Sequence, residues 1–252
     1  MKPFSTLFRG IQLLYTVLTI AGCVALCFLG VWQLRRHGER QVLNATIVAG
    51  MARAPLPLRV APANPEPLAY QPVLVRGRYD GANQVLLRNR EFRGITGFHV
   101  LTPLVLADGK AVLIDRGWLP QNATTDGQLA AFAPPVGEVT VAGVVRVPIL
   151  TSGPAEPPLA AGTSRRVAWF RADTTAIGAQ SGHTLWPLVI QIQPQPGTPE
   201  QLPQPAVIEE LGIGSHLGYA LQWFAFAGIL AAGYALVVLR TPAPALPARR
   251  SS

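Results

Sequence analysis

The residues Gly10 to Leu34, GIQLLYTVLTIAGCVALCFLGVWQL, form a long run without a charged side chain, bounded by Arg9 and Arg35. A second run of this kind, LGYALQWFAFAGILAAGYALVVL, extends from Leu217 to Leu239. Crossing a hydrocarbon core of ~30 Å takes about 20 helical residues, so each run is long enough to span a membrane. The sequence therefore predicts two transmembrane helices, at 10–34 and 217–239, that bracket one extramembrane domain.

The composition is typical of a membrane protein of ordinary size. Of the 252 residues, 49% are hydrophobic and only 13% are charged. The net charge is +8, but the positive residues are scattered, and several lie at the ends of the two runs, where anionic headgroups of the lipid bilayer attract them. No RNA- or DNA-binding motif occurs, so we expect no nucleic-acid partner.

The first run contains both cysteines, Cys23 and Cys27. Their spacing places both sulfur atoms on one helix face, where they would suit a soft metal such as Cu(I). The alternative is that they are small apolar residues packed in lipid or against the other helix. The stretch Ile20–Cys23 also resembles a lipobox, which would make Cys23 the lipid-modified start of a mature chain. The apolar run continues to Leu34 without a polar linker, so we interpret it as a retained anchor.

Charges flanking the two runs predict the orientation. The second run is preceded by Glu209 and Glu210 and followed by the basic residues Arg240, Arg249 and Arg250. Basic residues favour the cytoplasmic side, so we expect both termini, including the tail 240–252, in the cytoplasm. Lys2 and Arg9 agree, whereas Arg35, Arg36 and Arg40 oppose this orientation. The predicted location is a bacterial inner membrane with the central domain in the periplasm.

The central region, residues 36–215, is predicted to be β-rich with little helix. Proline-rich connectors at 54–67 and 194–205 join it to the two spans. Short runs with strand character occupy 73–79, 84–89, 98–106, 111–116, 139–147, 167–170 and 188–193. Asp108-Gly109 indicates a hairpin turn, and Asp173 is expected to cap a short helix toward Ala179. This pattern favours a small antiparallel sandwich or barrel.

The sequence shows no recognised catalytic pattern. The four histidines, His37, His99, His183 and His216, lack metal-ligand spacing and have no carboxylate beside them in a known arrangement. A nucleophile elbow, a phosphate-binding glycine loop and a dinucleotide fingerprint are all missing from the sequence. A membrane-tethered enzyme with an unrecognised site is therefore the least favoured interpretation.

The most informative side chains lie at the outer ends of the two runs. They are Trp32, Gln33, Arg35 and Arg36 in the first, and His216, Tyr219 and Trp223 in the second. Antiparallel spans bring these residues to one depth, and His216 and Trp223, two helical turns apart, share a face. An imidazole, an aromatic surface and two guanidinium groups suit haem, with histidine as an axial ligand. The alternative is anchoring at the membrane interface alone, since Trp, Tyr and Arg are enriched there.

Ordered motifs run from the first span to the second. They are Leu29-Gly-Val-Trp-Gln33 with Arg36, Val75-Arg-Gly-Arg-Tyr-Asp80, Gly97 with Thr102-Pro-Leu104, Val112-Leu-Ile-Asp-Arg-Gly-Trp-Leu-Pro120, Gly137-Glu-Val139 with Gly143, Trp169-Phe-Arg171 with Asp173, and His216-Leu-Gly-Tyr-Ala-Leu-Gln-Trp-Phe224. In this order the chain resembles the Surfeit locus protein 1 family. The resemblance implies a non-catalytic assembly factor for haem-copper cytochrome c oxidase that aids haem a insertion or protection during subunit I maturation.

The resemblance also implies site residues and partners. It maps a haem a ligand onto His216 and the tryptophan two turns on onto Trp223. Implied partners are oxidase subunit I, other assembly factors and haem a synthase, while the alternative is a scaffold that never contacts haem. The shared motifs also assign a client or structural role to six residues: Trp32, Gln33, Arg116, Gly117, Trp118 and Tyr219. In the functional interpretation, Arg116 and Trp118 would face the membrane or the client. Their structural interpretation is an ion pair of Asp115 with Arg116, a glycine at a turn or bulge, and a tryptophan in the core.

Overall fold

A computed structural model describes residues 11–124, 128–151, 154–159, 162–194, 197, 201–205, 208 and 214–240. The chain divides into two compact units, one comprising Met1–Asn44 with Gly212–Ser252 and the other Ala45–Leu211. The predicted cytoplasmic tail beyond Arg240, the acidic pair Glu209 and Glu210, and half of the connector at 194–205 lie outside the described residues.

The elements follow one another as helix, strands and helix. They are α1 (Ile11–Met51), β1 (Leu56–Pro57), β2 (Pro72–Tyr79), β3 (Val85–Phe92), β4 (Ile95–Val105), β5 (Ala111–Pro120), β6 (Glu138–Arg146), β7 (Ala168–Trp169), α2 (Thr174–Ser181), β8 (Leu185–Gln191) and α3 (His216–Arg240). The strand runs predicted from the sequence all correspond to observed strands, with ends that differ by a few residues.

Both long helices, α1 and α3, are long and apolar enough to cross a membrane. α1 does not end at Leu34, where the predicted span ends, but continues to Met51. The added residues Arg35–Met51 contain good helix formers and no proline, and the first proline after them is Pro55. At 41 residues, α1 is about 60 Å long, roughly twice the thickness of a hydrocarbon core.

Within the first unit, α1 and α3 pack as an antiparallel pair. The thiol of Cys23 donates to the carbonyl of Ala227 over 3.7 Å. Thr16 and Tyr234 are joined by a hydrogen bond between their hydroxyl groups. The ring of Phe224 lies so close to Gly30 that a Cβ there would stand 2.6 Å from it. Small residues at these positions let the two helix backbones approach each other.

The second unit contains one eight-stranded mixed sheet, in the order β1-β2-β6-β8-β5-β4-β3-β7. An additional pairing of β2 with β4, at Arg78–Val105 and Tyr79–Leu104, closes five of these strands into a ring. The expectation of an antiparallel sheet is corrected here, because β5 and β8 run parallel. A closed ring with an odd number of strands cannot alternate direction throughout, so at least one pair must be parallel.

Apolar residues of the ring strands fill the barrel interior. This core comprises Leu58, Val73, Val75, Leu104, Val112, Ile114, Val141, Val145, Trp186, Leu188 and Ile190. Alternation along each strand sends the intervening residues to the outer face. The predicted turn at Asp108-Gly109 is confirmed: Gly109 has φ +79° and Leu106 N–H donates to Lys110 O at 2.8 Å, which fixes the β4–β5 hairpin.

On the outer face, α2 covers a second apolar cluster. Ile177 of α2 is fully buried against Leu101, Leu113 and Val189 of the sheet. The predicted cap is confirmed, since Asp173 Oδ1 accepts from the backbone N–H groups of Thr175 and Ala176, each at 3.0 Å. This outer face also carries the buried pair of His99 and Asp115.

Candidate functional site

The imidazole of His216 is held by a side chain from the opposite helix. His216 Nδ1 lies 2.9 Å from Gln33 Oε1, so the first residue of α3 contacts α1. An amide oxygen only accepts, so a hydrogen bond to Gln33 Oε1 requires the tautomer in which Nδ1 carries the proton. In the neutral imidazole this leaves Nε2 with its lone pair. A metal-binding histidine is usually held in this way, with its other ring nitrogen donating to an oxygen.

The Nε2 side of His216 has room because residue 214 is glycine. Gly214 adopts φ +65°, a conformation that side chains rarely accept, and a Cβ there would lie 3.2 Å from Nε2. Any larger residue would crowd the only ring nitrogen able to bind a metal. The arrangement therefore fits an axial ligand whose coordinating atom is kept clear.

Among the described residues, the other side chains predicted for this end of the helix pair make no hydrogen bond to His216 or Gln33. Trp223 is half-buried and packs edge-on against Phe226, with ring centroids 6.1 Å apart. Trp32 and Tyr219 expose about half of their surface. Arg36 pairs with Glu39 one turn along α1, at 2.9 Å, and Arg35 is exposed. The structure thus joins His216 with Gln33, which the sequence prediction had placed among the client or structural motifs.

The second unit contains a buried histidine–carboxylate pair that the sequence analysis missed. His99 Nδ1 and Asp115 Oδ2 lie 2.7 Å apart, and less than a tenth of either side chain is exposed. The second carboxylate oxygen, Oδ1, accepts from the backbone N–H of Gly117 at 3.0 Å. Asp115 therefore fixes the orientation of the imidazole. The expected ion pair of Asp115 with Arg116 is wrong, because neighbouring strand residues point to opposite faces.

Two β-bulges flank this pair and decide which side chains accompany it. Between β3 and β4 the register shifts so that Leu87 opposes His99 and Arg90 opposes Gly97. Without the bulge, Asn89 would occupy the place of Arg90 beside His99. Between β4 and β5 the shift lies next to His99, and Gly117, with φ +124°, occupies the bulge. Bulges of this kind often redirect side chains at functional sites.

Arg116 and Trp118 are anchored in the strand-rich unit. Arg116 Nη1 donates to the carbonyl of Phe132 at 2.7 Å, and its guanidinium lies 5.8 Å from the ring centre of Tyr79. Burial lowers the pKa of Arg116, an effect that Tyr79 opposes. Burial likewise raises the pKa of Tyr79 to about 12, with Arg116 opposing the rise. Trp118 is 5% exposed and donates through Nε1 to the carbonyl of Arg90 at 3.2 Å.

A second histidine–carboxylate pair is more exposed. His183 Nε2 lies 2.8 Å from Asp80 Oδ2, and about a fifth of each side chain is accessible. Burial raises the pKa of Asp80, but hydrogen bonds from Asn83 and His183 outweigh that effect and hold it below its usual value. Asp80 also accepts from the backbone of Asn83, which caps a 3₁₀ turn. This pair has a structural role at the end of β2.

Across the part of the chain that the structure describes, no group of three or more His, Cys, Asp or Glu side chains is arranged to hold a metal ion. The Cu(I) alternative for Cys23 and Cys27 therefore has no third His, Cys, Asp or Glu ligand among the described residues. Cys23 instead donates to a helix carbonyl, and Cys27 is exposed on α1.

Comparison with known proteins gives matches along most of the chain. Surfeit locus protein 1 of Mus musculus is 28% identical over 169 residues, which cover 61% of this chain and 54% of the mouse protein. A SURF1-like protein of Mycobacterium tuberculosis is 29% identical over 225 residues, covering 85% of this chain and 78% of that protein. A SURF1-like protein of Monosiga brevicollis is 25% identical over 233 residues, with coverages of 88% and 85%. The chain spans about half the length of the mouse and rat relatives that it matches.

The family model described as "SURF1 family" matches residues 20–228. This range begins within α1, takes in the whole strand-rich unit and ends within α3. The chain belongs to the SURF1 family.

Proposed function

We propose that this chain is a non-catalytic assembly factor for cytochrome c oxidase, which binds haem a as cargo and aids its insertion into subunit I. The observation that carries the proposal is the contact of His216 with Gln33. Haem supplies an iron that takes a neutral imidazole nitrogen as axial ligand. His216 offers Nε2 for this purpose, with Nδ1 tied to Gln33 and with Gly214 leaving Nε2 accessible.

Neighbouring residues are assigned supporting roles. Trp223 and Tyr219 provide aromatic surface against the macrocycle. Arg35 and Arg36 provide guanidinium groups for carboxylates at its edge. Since Arg36 already has a partner in Glu39, its guanidinium would have to be shared or released on binding. A single protein ligand suits a carrier, because a cargo that is to be transferred must also be released.

The proposal places α1 and α3 across a bacterial inner membrane, with the strand-rich unit in the periplasm. Their length and hydropathy support two spans. The excess of arginine after α3 supports cytoplasmic termini. Cysteine labelling tests this orientation: with Cys23 and Cys27 replaced by Ala, a new cysteine at exposed Val136 should react with an impermeant maleimide in intact cells. Labelling only after lysis would place the unit in the cytoplasm and contradict the proposal.

A second candidate is a haem-independent scaffold that holds an oxidase assembly intermediate. The observation that favours it is the surface of α3. Ala220 and Ala227 are buried, whereas Gly228, Ala231 and Ala232 are exposed at small-xxx-small spacing. Such a stripe lets another helix approach closely within a bilayer. A helix of subunit I would be the natural occupant, and docking there does not require haem.

Complementation distinguishes the two candidates. A strain that lacks the chain should have oxidase with a lowered haem a content, and the wild-type chain should restore it. His216→Ala should fail to restore haem a if the chain carries haem, while still co-purifying with subunit I. The matched control is His183→Ala, which removes a histidine that takes no part in the helix pair.

Full rescue by His216→Ala would exclude the haem-carrier function and favour the scaffold. The scaffold in turn predicts that Gly228→Leu abolishes co-purification with subunit I. Loss of haem a with His216→Ala but not with His183→Ala would support the carrier.

A further inference from the structure

A cavity of about 270 Å³ opens on the outer face of the barrel, in the strand-rich unit. Its polar lining comes from six residues on different elements: Arg90, His99, Asp115, Arg146, Arg171 and Gln191. The buried pair of His99 and Asp115 therefore borders a space large enough for a small molecule. Nothing in the proposed haem-carrier function uses this cavity.

The charge at the cavity is positive. Three guanidinium groups, those of Arg90, Arg146 and Arg171, face a single carboxylate, that of Asp115. Both oxygens of this carboxylate are committed, Oδ2 to His99 and Oδ1 to the backbone of Gly117. Asp115 is thus a poor partner for the arginines, and the charged side chains that line the cavity sum to a positive charge.

Arg171 is held at the cavity with donors to spare. It donates through Nη1 to the carbonyl of Leu150, and because a guanidinium carries five N–H donors, this contact leaves several for a ligand. The guanidinium of Arg146 lies 5.0 Å from the ring centre of Tyr70. The β3 bulge places Arg90 on the face of His99. These positions converge from three separate chain segments, as in a preformed site.

His99 supplies an independent sign of a ligand. Its side chain is 8% exposed, and Nε2 is buried with no hydrogen-bond partner among the described residues. Buried polar atoms in folded proteins are nearly always paired, and an exception often marks a binding or chemical role. Here Asp115 holds the ring from the Nδ1 side, which leaves Nε2 as the atom that a bound group would satisfy.

The remaining walls are apolar. They include Leu87, Ile149, Phe170 and Val189. Among the described residues that line the cavity there is no hydroxyl, thiol or amine side chain. Cationic groups on one side and apolar walls on the other are suited to binding an amphipathic anion.

We propose that this cavity binds a small organic anion, one that joins a carboxylate or phosphate head to a short apolar body. Arg90 and Arg171 bind the head, Arg146 adds positive charge beside them, and Nε2 of His99 donates to the head. The apolar body lies against Phe170 and Ile149. The site is independent of the helix pair at His216.

Calorimetric titration of the purified full-length protein in detergent tests the site. The probes are benzoate and phenyl phosphate, which separate the two head groups, and neutral benzamide as their uncharged counterpart. At least one anion should bind saturably at one site per chain, and benzamide should not. Arg171→Gln and Arg90→Gln should each weaken binding at least about tenfold, because a charge-assisted hydrogen bond is worth no less than that factor. Arg59→Gln, at an exposed arginine away from the cavity, should leave affinity unchanged.

Nitrogen NMR of the histidine rings locates the bound anion. The resonances of His99 should shift during the titration, while those of His183, in the other histidine–aspartate pair, should stay in place. Absence of saturable binding of both anions up to about 10 mM would overturn the proposal, since only non-specific association would then remain. Equal losses with Arg59→Gln and Arg171→Gln, or equal shifts of both histidines, would also overturn it.

Discussion

Replacing Asp115 by alanine removes the acceptor that two buried donors share. One is His99 Nδ1, at 2.7 Å, and the other is the backbone N–H of Gly117, at 3.0 Å. A buried donor left without a partner costs about 1–3 kcal/mol. The two together cost about 2–6 kcal/mol. Breaking a buried pair of this kind costs about 3–5 kcal/mol, which lies within that range, so we expect this loss in the free energy of unfolding. In a unit of this size the melting temperature should fall by about 6–20 °C.

Thermal denaturation of the purified protein, followed by the circular dichroism of the strands, measures this shift. Two variants bracket the result. Asp115→Asn keeps an oxygen for Gly117 and presents an amide to His99. It should therefore lose less than half of the unfolding free energy that Asp115→Ala loses. Asp108→Ala makes the same change in the exposed turn of the same hairpin, where the carboxylate accepts only from Lys110, and should lose no more than about 1 kcal/mol. Two results together would refute the buried pair: Asp115→Ala melts within 2 °C of Asp108→Ala, and each variant loses only about 1 kcal/mol in the free energy of unfolding.

Three further predictions concern the barrel, the acid limit of stability and the helix pair. Gly77→Ala should lower the free energy of unfolding in urea by about 1–3 kcal/mol, because the new Cβ would stand 2.4 Å from Val105 O where β2 meets β4. An unchanged denaturation midpoint would contradict the closed ring. The pKa of Asp80 is lower in the folded than in the unfolded chain, so its contribution to stability is present above about pH 3.9 and is lost as the pH falls through the folded value. Asp80→Asn should therefore flatten the acid side of the curve of unfolding free energy against pH, and an identical curve would contradict this contribution. Gln33→Leu should weaken haem binding about 10- to 100-fold in titrations with haem, and unchanged affinity would show that His216 needs no second-helix partner.

Much of the fold was predictable from local signals in the sequence. The uncharged runs predicted both long helices, because burial in hydrocarbon demands an unbroken apolar stretch. Asp108-Gly109 and Asp173 predicted a hairpin and a helix cap, since each residue type satisfies a specific backbone need within a few positions. Such features depend on neighbours in the chain, and a single sequence contains them.

Long-range features were missed for physical reasons. The parallel pairing of β5 with β8 follows from closing five strands into a ring, and no strand shows that number by itself. The helix continues past Leu34 because a charged residue such as Arg35 ends an apolar run without breaking a helix. Only proline or an unfavourable backbone would have ended it there.

The pair of His99 and Asp115 was within reach of the sequence. A hairpin turn at Asp108-Gly109 places Leu101 opposite Asp115, and His99 lies two residues away on the same face. The register shifts of the two bulges were not predicted, although Gly117 was expected at a turn or bulge. Predicting the contact of His216 with Gln33 would have required the register between two helices that are far apart in sequence. The antiparallel arrangement alone leaves that register uncertain by several residues.

The absorption spectrum of the purified chain, produced together with haem a synthase, tests the central claim most directly. We expect a haem a spectrum that corresponds to no more than about one haem per chain. This spectrum should be lost in His216→Ala and retained in His183→Ala. A colourless wild-type protein, or a spectrum that His216→Ala leaves unchanged, would contradict it.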